Sequence, residues 1–168
     1  MKHKILNKSG KLLMKLNPLK ICIIDDEDIY FNKNMIDIAN NTGFTHIDRY
    51  NKIDASLFKK LQTNPYNILI LDIKGITEPD VAKDGLHVAT TLHRTTDSYI
   101  VMTSAHQYHL NNKLTSVDYI IEDRLLTATD FVDYLIEIVN DCLTKKVSFY
   151  KNIGFKIGFA LMKKGITQ

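Results

Sequence analysis

Three stretches of the chain place oxygen-bearing side chains directly after apolar runs. ICII at 21–24 is followed by four consecutive acids, Asp25, Asp26, Glu27 and Asp28. NILIL at 67–71 is followed by Asp72, and YIVM at 99–102 by Thr103 and Ser104. A fourth run, VDYII, leads into Glu122. Adjacent carboxylates repel one another unless a positive charge sits among them or water screens them. Carboxylates gathered from separate stretches make a hard-cation site, and oxygen ligands with positions left for water suit Mg²⁺. A cation held there neutralises a phosphoryl group and stabilises its transfer to a carboxylate nucleophile. A hydroxyl on the neighbouring strand is placed to hydrogen-bond the transferred group.

The elements that must position these residues follow from the same runs. Continuous apolar runs, rather than alternating ones, indicate strands covered on both faces. Helical patterns separate them: about 28–40, 53–61 (stopped near Pro65), 85–93 and 129–143, with FTHIDRY at 44–50 as a weaker, half-polar strand. Strands alternating with helices predict an α/β fold with a doubly wound, five-stranded parallel sheet. All strands of such a sheet end on one side, where sites form. Asp25, Asp26, Asp72, Thr103, Ser104 and Glu122 are therefore expected to converge on one edge. Tyr30, Phe31 and Met35 read as core.

The ordered set is an acidic pair, an acid 46 residues after Asp26, a hydroxyl pair, then an aromatic strand. On it the chain resembles the receiver domain of bacterial two-component response regulators over residues 18–145. ICIIDDED matches the first strand and acidic pair, and NILILDI the phosphoacceptor strand. DGL opens the third helix, IVMTSAH carries the switch hydroxyl, and DYII is the fifth strand. The resemblance implies a flavodoxin-like fold in which Asp72 accepts a phosphoryl group from a histidine kinase or phosphotransfer protein. It implies that Asp25 and Asp26 hold Mg²⁺ with Asp72, helped by the backbone carbonyl of Lys74. Ser104, directly before Ala105, fits the switch hydroxyl, with Thr103 as the alternative if the register slips by one. Tyr119 fits the aromatic switch position. No enzymatic turnover is implied beyond self-catalysed transfer to Asp72 and its hydrolysis.

The sequence also departs from the family. Glu122 stands where a lysine normally follows the fifth strand, and Asp123 replaces the next proline. An acid there repels a phosphoryl dianion that a lysine would pair with, and Arg124 is the cation close enough in sequence to substitute. The segment from Asp72 to Gly85 spans 13 positions, longer than usual and without Met-Pro. Ser104 to Glu122 spans 18, room for a short fourth helix at best. Two functions follow: a single-domain, phosphoryl-accepting response regulator, or a degenerate receiver serving as a constitutive interaction or oligomerisation module. A haloacid dehalogenase-type phosphatase, suggested by Asp26-x-Asp28, is disfavoured by Tyr30 and by the want of a matching lysine. The spaced histidines, His87 with His93 and His106 with His109, read as surface residues rather than metal ligands.

Charge divides the chain. Residues 1–20 hold six lysines and 142–168 another six, neither with an acid, so all 19 acids lie between. The expected organisation is a basic N-terminal extension (1–17), the receiver-like domain (18–145) and a basic, amphipathic helical C-terminal tail (146–168). Gly154 and Gly158 oppose the tail's lysine stripe, which favours close protein contact, including homo-oligomerisation, over a membrane surface. The ends are too short for a DNA-reading unit, so no sequence-specific nucleic acid is expected. Two cysteines, no secretory h-region and no apolar window of roughly 20 residues suggest a reduced, cytoplasmic protein.

Overall fold

The computed structural model describes residues 19–63, 65–103, 115–121 and 127–145. The expected extensions, 1–17 and 146–168, lie outside them, as do Ser104, His106, His109, Glu122 and Arg124. Five parallel strands form one sheet: β1 (Ile21–Ile24), β2 (Ile47–Tyr50), β3 (Ile68–Asp72), β4 (Tyr99–Thr103) and β5 (Tyr119–Ile121). Their order is β2-β1-β3-β4-β5. The continuous apolar runs are the three central strands, buried along their whole length. The half-polar segments 47–50 and 119–121 form the two edges, as strands covered on fewer sides should.

Helices α1 (Lys33–Asn41), α2 (Ala55–Gln62) and α3 (Gly85–Thr95) fill the connections. Each is capped by a short polar side chain that accepts from a first-turn amide: Asn32 from Met35 N–H, Asp54 from Leu57 and Asp84 from His87. One face of the sheet presents Cys22, Ile24, Leu69, Leu71, Ile100 and Met102 to a cluster containing Leu57, Leu61, Val88 and Leu92. Ile21, Ile23, Ile68, Ile70 and Val101, also buried, alternate to the other face. Asp72 and Thr103 share that second parity at the carboxyl ends of β3 and β4, where they are register partners.

The first helix starts later than its apolar spacing predicts. Phe31 has φ +48, outside helical geometry, so the helix begins only after the Asn32 cap. A left-handed conformation costs a non-glycine residue about 1–2 kcal/mol. Burial of the Phe31 ring, edge-on to Phe131 with centroids 5.4 Å apart, offsets that cost. The segment after β3 is longer than a minimal connection but anchored. Ile53 N–H donates to Ile76 O and Glu78 N–H to Ile53 O, a single parallel bridge that sits over the buried Ile76.

The chain divides into two units, 1–134 and 135–168, and the sheet belongs to the first. A helix over 128–145 begins at Thr127, whose hydroxyl accepts from Asp130 N–H while its own N–H and O–H donate to the Asp130 carboxylate. These hydrogen bonds hold the Asp130 carboxyl below the usual range. In the second unit Leu135, Ile138, Val139 and Cys142 are buried at helical spacing. No helix among the described residues is long and apolar enough to cross a membrane.

Cys22 is enclosed in strand β1, and burial, then the Asp48 carboxylate, pushes its thiol up to about 12. The thiol is the unreactive form. The folded protein is expected to resist iodoacetamide at pH 8 at Cys22 and at buried Cys142, with both alkylated after unfolding. Rapid native labelling of Cys22, read by peptide mass, would contradict this placement.

Candidate functional site

The acids that follow β1 meet the acid that ends β3. Carboxylate oxygens of Asp25, Asp26 and Asp72 all lie within 4.8 Å of one another. Parallel pairing explains the convergence, because Ile24 and Leu71 are register partners and the chain leaves both strands at the same edge. The three acids are held differently. Asp25 is fully buried and one carboxylate oxygen accepts from Glu27 N–H at 3.0 Å. Asp72 is 5% exposed and accepts from Ile73 N–H at 2.7 Å. Asp26 is exposed and lies against Gly75, whose φ of +77 brings the backbone so close that a Cβ would overlap the carboxylate. On the opposite side of Asp72 lies buried Thr103, whose hydroxyl has no hydrogen-bond partner among the described residues. A buried hydroxyl without a partner is costly, so its neighbourhood favours a ligand group able to accept from it.

Lys74 is exposed in the turn between Asp72 and Gly75, the location from which its carbonyl was expected to reach the cation. Tyr119 opens β5 and is half-buried. Ser104 and Glu122 fall outside the described residues.

Sequence reasoning missed Arg49. Its side chain, on edge strand β2, is only 16% exposed and reaches over the end of β1. Nη1 donates to Asp28 Oδ1 at 3.0 Å and Asn51 Oδ1 at 2.7 Å. Nη2 donates to the carbonyls of Asp25 and Glu27, at 3.2 and 3.0 Å. The acidic run thus carries its own cation, the condition that four adjacent carboxylates set. The signal was one arginine in FTHIDRY, which only the pairing of Ile23 with Arg49 brings beside the acids.

A cavity of about 290 Å³ opens at the other end of the sheet, where the first strands begin, lined by Lys20, His46, Asp48, Lys60 and Tyr66 among others. There Tyr66 O–H donates to Asp48 at 2.6 Å and Lys60 Nζ to the Tyr50 hydroxyl at 3.1 Å. The Tyr66 proton being committed, the 3.3 Å contact between the two hydroxyls takes its proton from Tyr50. Burial, then the bond to Asp48, raises the Tyr66 phenol above its ordinary value. None of the three clustered acids lines this cavity.

No protein-family model matches the chain, and no curated protein does. Solved structures do. A response regulator receiver domain (CheY-like) from Methylobacillus flagellatus superposes with TM-score 0.54 at 17% identity, over 71% of this chain and 98% of that one. The N-terminal domain of a response regulator/sensory box/GGDEF three-domain protein from Carboxydothermus hydrogenoformans gives 0.56 at 21%, over 78% and 98%. The response regulatory domain of mrkE from Klebsiella pneumoniae gives 0.57 at 17%, over 75% and 99%. The chain has the receiver fold. Nearly the whole of each receiver domain is matched, so the likeness is to the complete sheet rather than to a shared fragment. Within this receiver fold the acids stand at the carboxyl ends of β1 and β3, the edge at which open α/β sheets place their ligands.

Proposed function

We propose that the protein is a response regulator receiver that accepts a phosphoryl group on Asp72 and signals through protein contacts. The observation that carries the reading is the meeting of Asp25, Asp26 and Asp72 within 4.8 Å beside the unpartnered Thr103 hydroxyl. Three carboxylates offer hard oxygen ligands, two of them on buried residues, and this donor set fits Mg²⁺ rather than a soft metal. Asp25, Asp26 and Asp72 would hold the ion, with the Lys74 carbonyl as a further ligand. Bound there, Mg²⁺ supplies positive charge against the repulsion between carboxylate and phosphoryl oxygens.

An Asp72 carboxylate oxygen attacks phosphorus in line, and the bond from phosphorus to the donor's leaving group breaks. In a histidine kinase or phosphotransfer protein that group is an imidazole nitrogen, which leaves with the electron pair and takes up a proton. The Ile73 N–H already held by Asp72 Oδ1 orients the carboxylate for that attack. Ser104, or Thr103 if the register slips by one, would donate to the transferred group, and Tyr119 on edge strand β5 would respond. Hydrolysis of the aspartyl phosphate would be the only further chemistry. We place this activity in the cytoplasm.

A second reading, a receiver-fold interaction module without phosphotransfer, is favoured by Glu122, an acid where a phosphoryl partner would be cationic. Incubation with a small phosphodonor and Mg²⁺, read by intact mass, separates the two. One phosphoryl adduct that disappears in Asp72→Asn supports phosphotransfer. Wild-type protein that gains no adduct at any Mg²⁺ level leaves the interaction module.

A further inference from the structure

We propose that Arg49 is a positioning residue that sets the divalent-cation affinity of the acidic edge, by fixing the backbone on both sides of Asp26. The inference deepens the reading of that edge as a cation site and rests on it.

Asp26 contributes its carboxylate to the cluster from an exposed position, with no strand or helix to fix it. Exposed carboxylates outside regular structure explore many arrangements, and a cation that needs one of them must overcome the lost freedom. Arg49 removes that freedom in advance. Its Nη2 holds the carbonyls of Asp25 and Glu27, the residues on either side of Asp26, and its Nη1 holds the Asp28 carboxylate. Asn51 braces the arrangement, accepting from Nη1 and donating through Nδ2 to the same Asp28 oxygen at 3.1 Å. Asp25 N–H donates to Tyr50 O, so the loop is stitched to β2 from both directions. With the loop held from behind, the Asp26 backbone is fixed and its carboxylate lies against Gly75.

Charge and geometry make opposite predictions about replacing Arg49. A guanidinium near a cation site repels the incoming ion, so loss of charge alone would tighten binding. Loss of positioning weakens it. Arg49→Lys separates the two effects, since lysine keeps the charge but its single ammonium cannot span two carbonyls, a carboxylate and an amide oxygen as the planar fork does.

The test is Mg²⁺ titration by calorimetry on the full chain, with the thermal midpoint of each metal-free protein as a measure of folding. Arg49→Lys is expected to weaken Mg²⁺ about 10-fold, in the range seen when a group that orients a metal ligand is removed. Asn51→Ala, at an exposed position, is expected to weaken it by a smaller factor with an unchanged midpoint, and it decides the matter if Arg49→Lys does not fold. A merely structural role would lower the midpoint and leave the dissociation constant alone. Wild-type protein that binds Mg²⁺, with the folded variants matching it within about twofold, overturns the role of Arg49. Wild-type protein that binds no Mg²⁺ overturns the reading of the acidic edge, and the role of Arg49 with it.

Discussion

Gly85→Ala is expected to lower the stability of the protein by about 3 kcal/mol, the upper end of what an overpacked methyl costs. Gly85 is the first residue of α3, and its N–H donates to Ile73 O at 2.8 Å. A Cβ at this position would overlap the backbone oxygen of Asp72 and lie 3.1 Å from Ile76 Cδ1. Neither neighbour can yield cheaply. The oxygen belongs to the end of a fully buried central strand, and Ile76 is itself buried under the Ile53 bridge. The helix must therefore back away from the strand, and the whole loop that presents Asp72 must move with it. At 2–4 °C per kcal/mol for a chain of this size, the thermal midpoint should fall by about 6–12 °C. Circular dichroism on wild type and variant checks it, and an unchanged midpoint would mean that α3 does not approach Asp72 as closely as described. On the proposed function the same substitution should also reduce phosphorylation at Asp72, because the backbone of Asp72 is what the methyl displaces.

Gly85 was legible in the sequence only as the start of a helix, in DGL, and this marks the boundary of what sequence can reveal. ICII, ILIL and YIVM declared themselves because a strand buried on both faces admits no polar residue. The acids that end those runs then had to share an edge, since parallel strands leave the sheet together. The parallel sheet and the Asp25–Asp26–Asp72 grouping were thus both implied by local patterns. Arg49 was not, because an edge strand tolerates polar residues, and nothing local distinguishes an arginine facing water from one reaching across to the next strand's loop. The start of α1 was misjudged for a related reason. Phe31 sits at helical spacing from Met35, but its backbone is left-handed, a state stabilised by a ring contact with Phe131, a hundred residues away. Long-range contacts overrule local periodicity where a side chain gains more from burial than its backbone loses. The Thr103 hydroxyl could be named as a candidate but not as unpartnered, which is a property of packing rather than of order along the chain.

Gly75→Ala should have the reverse profile of Gly85→Ala, a modest loss of stability and a large loss of cation affinity. Two features make this glycine necessary. Its φ of +77 costs an alanine about 1–2 kcal/mol. Its missing side chain leaves the space taken by the Asp26 carboxylate, whose Oδ1 would lie 2.8 Å from an added Cβ and whose Oδ2 would overlap it. Here the obstructing group is the far end of an exposed side chain, which can swing into water. The fold survives, but Asp26 leaves the group of oxygens lying within 4.8 Å. Mg²⁺ affinity is expected to fall about 10- to 100-fold. Gly75→Asn distinguishes the two causes, since asparagine tolerates left-handed backbone better than alanine yet carries the same Cβ. It should recover part of the stability and none of the affinity. Calorimetric titration of the three proteins with Mg²⁺ reads the outcome. If Gly75→Ala binds the ion as wild type does, Asp26 is not among its ligands, and the cation would be held by Asp25, Asp72 and the Lys74 carbonyl without it.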